Sequence, residues 1–123
     1  IGLNRAIEFI ESISLEQIRN HENELLLRAI TQLSEITGFQ PMGTASEKAS
    51  VISFNIEDIH PFDLGVLLDA KSIAIRTGHH CTQPLMNRFN VEGTARASFA
   101  IYNTFEEVDQ FVWTLSDLVK KLR

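Results

Sequence analysis

Apolar positions along the chain change period several times, and each change predicts a new element. Leu3, Ala6, Ile7 and Ile10 are spaced for one helical face. Ser14 with Gln17 three residues later has the form of a capping box. It predicts a longer helix with the stripe Leu15, Ile18, Leu25, Ala29, Leu33 and Ile36. Gly38 stands where a C-terminal cap is wanted, and residues 39–42 form a short early strand. Residues 43–48 are small and polar and read as a turn or mobile loop.

The period then drops to two. Ile52, Phe54 and Ile56 alternate with Val51, Ser53 and Asn55, the pattern of a half-buried strand. Pro61 suits the first turn of a helix through Phe62, Leu64, Leu67 and Leu68. Ile73 and Ile75 alternate in a short strand running into Thr77-Gly78, and Pro84 starts a short helix ending near Asn90. Residues 95–102 form another strand, in which Arg96 leaves the sheet opposite Phe99 and Ile101. Thr104 with Glu107 is a second capping box. It opens a last helix with Phe105, Val108, Phe111, Val112, Leu115, Leu118, Val119 and Leu122 on its apolar side. The order α-α-β-β-α-β-α-β-α predicts an α+β fold: a small, mostly antiparallel sheet with helices packed on one face.

Composition narrows the function classes. At 123 residues the chain makes one domain with one core. A formal charge of −5 without a basic stripe argues against nucleic acid as partner. No apolar run approaches the ~20 residues of a membrane helix. The single cysteine excludes an intramolecular disulfide and fits a reducing, cytoplasmic setting. The chain starts at Ile1 and enters a helical pattern almost at once, which reads as a piece of a longer chain.

The chemistry gathers in Arg76-Thr77-Gly78-His79-His80-Cys81-Thr82-Gln83-Pro84-Leu85-Met86. This segment holds the only cysteine and two of the four histidines. Cys81, between His80 and a helix start, is a candidate nucleophile, because the thiolate is the reactive form and such neighbours favour it. The alternative is an inert small hydrophobe, the common role of a single cysteine. His79 and Cys81 could share a metal ion. His21 and His60 have no spacing that completes a zinc site, so no metal is expected. Arg76 and Arg96 flank the cysteine, and a guanidinium binds a carboxylate through two parallel hydrogen bonds. Lys48, Lys71, Lys120 and Lys121 are the only lysines, and none has the apolar setting of a Schiff-base lysine.

The same segment resembles the active-site cysteine loop of the SufS-type (group II) cysteine desulfurases. The resemblance continues through Thr94-Ala95-Arg96-Ala97-Ser98-Phe99-Ala100-Ile101-Tyr102-Asn103-Thr104-Phe105-Glu106-Glu107-Val108-Asp109. Upstream, Gly2-Leu3-Asn4-Arg5-Ala6-Ile7 looks like the family's lead into its C-terminal region. The resemblance implies the C-terminal small domain of a dimeric fold-type I enzyme of the aminotransferase class-V family, over residues 1–123. Such an enzyme uses pyridoxal 5′-phosphate to convert L-cysteine to L-alanine. It leaves a persulfide that passes to a sulfur-acceptor protein for iron–sulfur cluster assembly.

By resemblance, Cys81 carries the persulfide, Arg96 binds the substrate carboxylate, and Arg76 lies close by. Gly78, His79 and His80 shape the loop. The family's Schiff-base lysine and phosphate-binding residues belong to a large domain that is absent here, so this chain alone is expected neither to hold the cofactor nor to turn over cysteine. A selenocysteine lyase of the same fold, a stand-alone sulfur carrier and an interaction module with an incidental cysteine are the alternatives.

Overall fold

A computed structural model describes all 123 residues. The elements run α1 (Gly2–Ile13), α2 (Leu15–Leu33), β1 (Phe39–Met42), β2 (Val51–Ile56), α3 (Pro61–Asp69), β3 (Arg76–Gly78), α4 (Gln83–Phe89), β4 (Thr94–Ser98) and α5 (Phe105–Leu122). This is the order that the periodicity predicts. The strands form one sheet in the order β1-β2-β4-β3, and every pairing is antiparallel. The α+β expectation therefore holds.

One face of the sheet builds the core. Ile52, Phe54 and Ile56 of β2 and Ala95 and Ala97 of β4 are buried there. They pack with Leu25, Ala29 and Leu33 of α2, Leu64 and Leu68 of α3, and Val108, Phe111, Leu115 and Val119 of α5. Phe54 is fully buried, with its ring 5.6 Å from Phe39 and 6.4 Å from Phe111. Gly65 lets α3 come close to β3, because a Cβ at that position would meet the Thr77 side chain at 2.9 Å.

Several local expectations give way to backbone geometry. Ser14 does separate α1 from α2, but its φ of 82° is not the extended conformation a capping residue needs, and its side chain makes no cap bond. The α1 stripe is helical as predicted, yet α1 buries nothing: Leu3, Ile7, Phe9 and Ile10 are all exposed. Leu15 and Phe62 are likewise outside the core. Helix α2 ends at Leu33, so Gly38 is not its cap; at φ 80° it turns the chain into β1, and its carbonyl accepts from Glu57 N–H at 2.9 Å. Strand β3 begins at Arg76, leaving Ile73 and Ile75 before it.

Strand β4 stops at Ser98 instead of continuing to Tyr102. Asn103 is the reason. Its Oδ1 accepts from Ala100 N–H at 2.9 Å and its own N–H donates to the Ala100 carbonyl at 2.9 Å, closing a turn. The turn runs straight into the Thr104–Glu107 capping box, which forms reciprocally as predicted.

Helix α5 is also tied to α2. Asp109 accepts both arms of Arg28, each at 2.7 Å, and Gln32 at 2.7 Å. These bonds, Arg28 first, hold the Asp109 carboxyl down at about 2 against an ordinary 3.8. A depressed carboxyl stabilises the fold above its unfolded value and loses that contribution as pH falls toward the folded value. Urea midpoints are therefore expected to decline between pH 3.8 and about 2 in part through Asp109. The Asp109→Asn variant should show a shallower decline over that window, and an unchanged slope would assign the acid sensitivity elsewhere.

Candidate functional site

The second face of the sheet carries the chemistry. Side chains alternate along a strand, so the residues out of phase with the core share the opposite face. Register sets them in two rows. Ser53, Arg96 and Arg76 lie abreast across β2, β4 and β3. Asn55, Thr94 and Gly78 follow in the next row: Gly78 is paired with Thr94, and Asn55 sits one position beyond the Phe54–Ala95 pair.

The Arg76–Arg96 pairing places two guanidinium-bearing residues directly opposite each other on neighbouring strands, an arrangement that destabilises a sheet when the charges are alike. Neither arginine has a carboxylate partner, although four other arginine and lysine side chains, those of Arg5, Arg28, Lys121 and Arg123, do. Nothing inside the chain compensates for the pair. The cavity of about 600 Å³ between α2, β1 and residues 43–48 includes none of these groups.

The cysteine loop leaves from the end of β3. Gly78 takes φ 117°, and Gly93 must be glycine because its Cβ would meet the Gly78 backbone at 2.9 Å. His80 and Cys81 follow with φ of 52° and 59°, two consecutive left-handed residues that are not glycine. Such conformations cost about 1–2 kcal/mol each and need local bonds to hold them. Three are present. The Cys81 N–H donates to His79 Nδ1 at 3.1 Å. Thr82 donates to the His79 carbonyl through both its N–H and its hydroxyl, each at 2.8 Å. His80 Nε2 reaches the Thr94 carbonyl at 3.1 Å and the Thr94 hydroxyl at 3.0 Å.

The carbonyl only accepts, so Nε2 carries the proton and His80 Nδ1 is a bare acceptor. Burial, then the charges of Arg96 and Arg76, push the His80 pKa below its ordinary value against the opposing effect of the Thr94 carbonyl. Cys81 itself is exposed at the apex of this turn, two residues ahead of α4.

The structure thus brings together Arg76, Gly78, His80 and Arg96 on one face, with His79 and Cys81 on the exposed loop pinned to it. All four histidines have structural bonds. His21 Nε2 meets the Asn103 carbonyl at 2.9 Å, and His60 Nδ1 caps α3 at Phe62 N–H. No three metal-ligating side chains converge. Ser53, Asn55 and Thr94 also belong to this face, and the sequence reading missed their part in it. The period-two pattern of β2 carried the signal for Ser53 and Asn55.

A Schiff base with pyridoxal phosphate needs a lysine amine at the site. The face has no lysine amine: Lys48 lies in the loop at residues 43–48, Lys71 in the turn after α3, and Lys120 and Lys121 in the last turn of α5.

The chain belongs to the aminotransferase class-V family, whose model matches residues 1–111. It is 50% identical over 109 residues to a probable cysteine desulfurase of Halalkalibacterium halodurans, a match covering 89% of this chain and 27% of that protein. Among solved structures it resembles the apo cysteine desulfurase of Thermococcus onnurineus NA1, with a TM-score of 0.89 and 39% identity over 94% of this chain and 29% of that one. It also resembles the cysteine desulfurase CsdA of Escherichia coli in its S-sulfonic acid form, with a TM-score of 0.89 and 33% identity over 98% of this chain and 30% of that one. The chain therefore spans less than a third of the length of these relatives.

Proposed function

We propose that this chain is the C-terminal small domain of a cysteine desulfurase of the SufS type. In the complete enzyme L-cysteine would become L-alanine, and its sulfur would remain as a persulfide on Cys81. Arg96 takes the substrate carboxylate, Arg76 reinforces it, and Gly78, His79 and His80 shape the loop that presents the thiol. Pyridoxal phosphate is held by residues outside this chain, in a large domain. The carrying observation is the pair of facing arginines without an internal anion, on the two strands that lead into and anchor the cysteine loop. A carboxylate-bearing substrate relieves the like-charge pairing, and the same anchor brings the thiol loop to that substrate.

The wider setting follows from this reading. An exposed thiol on a left-handed turn can hand its sulfur to an acceptor protein, the step that feeds iron–sulfur cluster assembly. A persulfide carrier works in a reducing compartment, hence a cytoplasmic placement, and the complete enzyme is a homodimer.

The test compares the isolated chain with the complete enzyme, each given pyridoxal phosphate and L-cysteine. The complete enzyme should release alanine and gain one sulfur atom on the Cys81 peptide by mass spectrometry. The isolated chain should do neither. Alanine released by the chain alone, or sulfur found on another residue, would overturn the assignment. Turnover confined to L-selenocysteine would mark a selenocysteine lyase instead.

A further inference from the structure

Three polar atoms are buried without a hydrogen-bond partner: Asn55 Oδ1, His80 Nδ1 and Arg96 Nε. All three belong to the chemical face of the sheet. Two are acceptors whose identity is fixed by their other bonds. Asn55 Nδ2 donates to the Gly93 carbonyl at 3.1 Å, which settles the amide orientation and leaves Oδ1 as the free end. His80 is fixed by its donation to Thr94. The third, Arg96 Nε–H, is a donor. A buried unpaired donor beside unpaired acceptors costs each group about 1–3 kcal/mol, and pairing them removes the cost.

Asn55 is the acceptor that shares the sheet face with Arg96. It lies on β2, diagonal to Arg96 on β4, because Ser53 is opposite Arg96 and Asn55 is the next residue on that face. Diagonal neighbours on one face are within reach of long side chains. The Asn55 residue is also 9% exposed, so its amide has little access to water as a substitute partner.

We propose that Asn55 is a positioning residue: its Oδ1 and the Arg96 Nε–H are both unbonded in the structure, and a side-chain rotation that lets Oδ1 take the Nε–H would aim the outer edge of the guanidinium away from the sheet, toward a carboxylate. Once Nε is held from inside, the two terminal nitrogens are left in one plane for bidentate binding. The significance for substrate rests on the reading of Arg96 given above, whereas the hydrogen bond itself does not.

The experiment is NMR on the 123-residue chain, following the Arg96 Nε–H resonance. In the unaltered chain its exchange with solvent should be at least about tenfold slower than that of the exposed Arg5. Exchange as fast as at Arg5 would overturn the proposal without any variant. Two substitutions of similar shape then separate positioning from packing. Asn55→Leu and Asn55→Asp both lose the bond to the Gly93 carbonyl, but only Asn55→Asp keeps an acceptor facing Arg96. Slow exchange preserved in Asn55→Asp and lost in Asn55→Leu supports the role. Equal behaviour of the two, or loss only in a His80→Phe chain, overturns it. Acetate is the carboxylate probe: it should shift the resonance in the unaltered chain at about threefold lower concentration than in Asn55→Leu. Equal acetate affinity with the exchange pattern intact would count against the orienting role, and no acetate response in any chain would count against the reading of Arg96.

Discussion

Replacing Cys81 with alanine in the complete enzyme is expected to abolish persulfide formation and to lower sulfur delivery by on the order of 10³-fold or more. The scale follows from removing a covalent nucleophile, whose loss leaves only the binding contribution of the site. The structure sharpens the reason. Cys81 is exposed, the chain's only cysteine, and sits at φ 59° on a turn fixed by His79 and Thr82. No second thiol within this chain can substitute for it. Cys81→Ser should fail almost as completely, since the hydroxyl preserves shape without the sulfur nucleophile. The measurement is sulfur retained on the protein after L-cysteine addition, together with sulfide released to solution. Retained protein-bound sulfur in Cys81→Ala would remove the nucleophile assignment. Folding is not at issue, because the side chain is outside the core.

Arg96→Ala is expected to lower kcat/KM for L-cysteine by roughly 10- to 100-fold, chiefly through KM. A hydrogen bond to a charged group contributes about 1.5–3 kcal/mol, which sets that range. Arg76→Ala should cost less, because Arg76 is on the exposed edge strand and Arg96 is half-buried on a central one. Arg96→Lys should restore little, since a point charge cannot make the two parallel bonds of a guanidinium. The kinetic split decides the matter: a loss confined to kcat with KM unchanged would mean that Arg96 serves something other than substrate binding. Relief of the like-charge pairing adds a second readout. The isolated Arg96→Ala chain should be no less stable than the unaltered one, apart from the packing lost with the aliphatic stem.

These two residues were readable in the sequence for different reasons. Cys81 stood out by composition and by its loop motif. Arg96 stood out because period-two alternation puts it opposite Ala95 and Ala97, and the core confirms that phase. Its pairing with Arg76 was not readable, because the β3–β4 register joins residues twenty positions apart and no local pattern encodes it. Asn55 was hidden in plain alternation: an outward polar residue on a strand is unremarkable until its neighbour across the sheet is known.

The fold shows the same division. Element order was legible because each period change is local. Burial of α1 was not, since periodicity reports an apolar face but not whether a partner covers it. Ser14 shows local chemistry overruled by backbone: the motif is present, but a left-handed φ turns the hydroxyl out of capping position. Asn103 shows the reverse. Alternation carried the predicted strand too far, and one side chain closed a turn that pattern alone does not see. Half of the downstream family motif is therefore scaffold, with Asn103, Thr104 and Glu107 building the turn and the start of α5 while Arg96 faces the site.

The division of β2 and β4 into two faces has a consequence for how such a protein can change over generations. Ile52, Phe54, Ala95 and Ala97 answer to packing, and Ser53, Asn55, Thr94 and Arg96 answer to chemistry, although they are adjacent in sequence. The separation is cleanest at Ser53 and Arg96, because Asn55 and Thr94 are themselves buried. A lineage can therefore explore new ligands at Ser53 and Arg96 at little cost to folding, whereas changes at the buried Asn55 and Thr94 alter ligand and fold together.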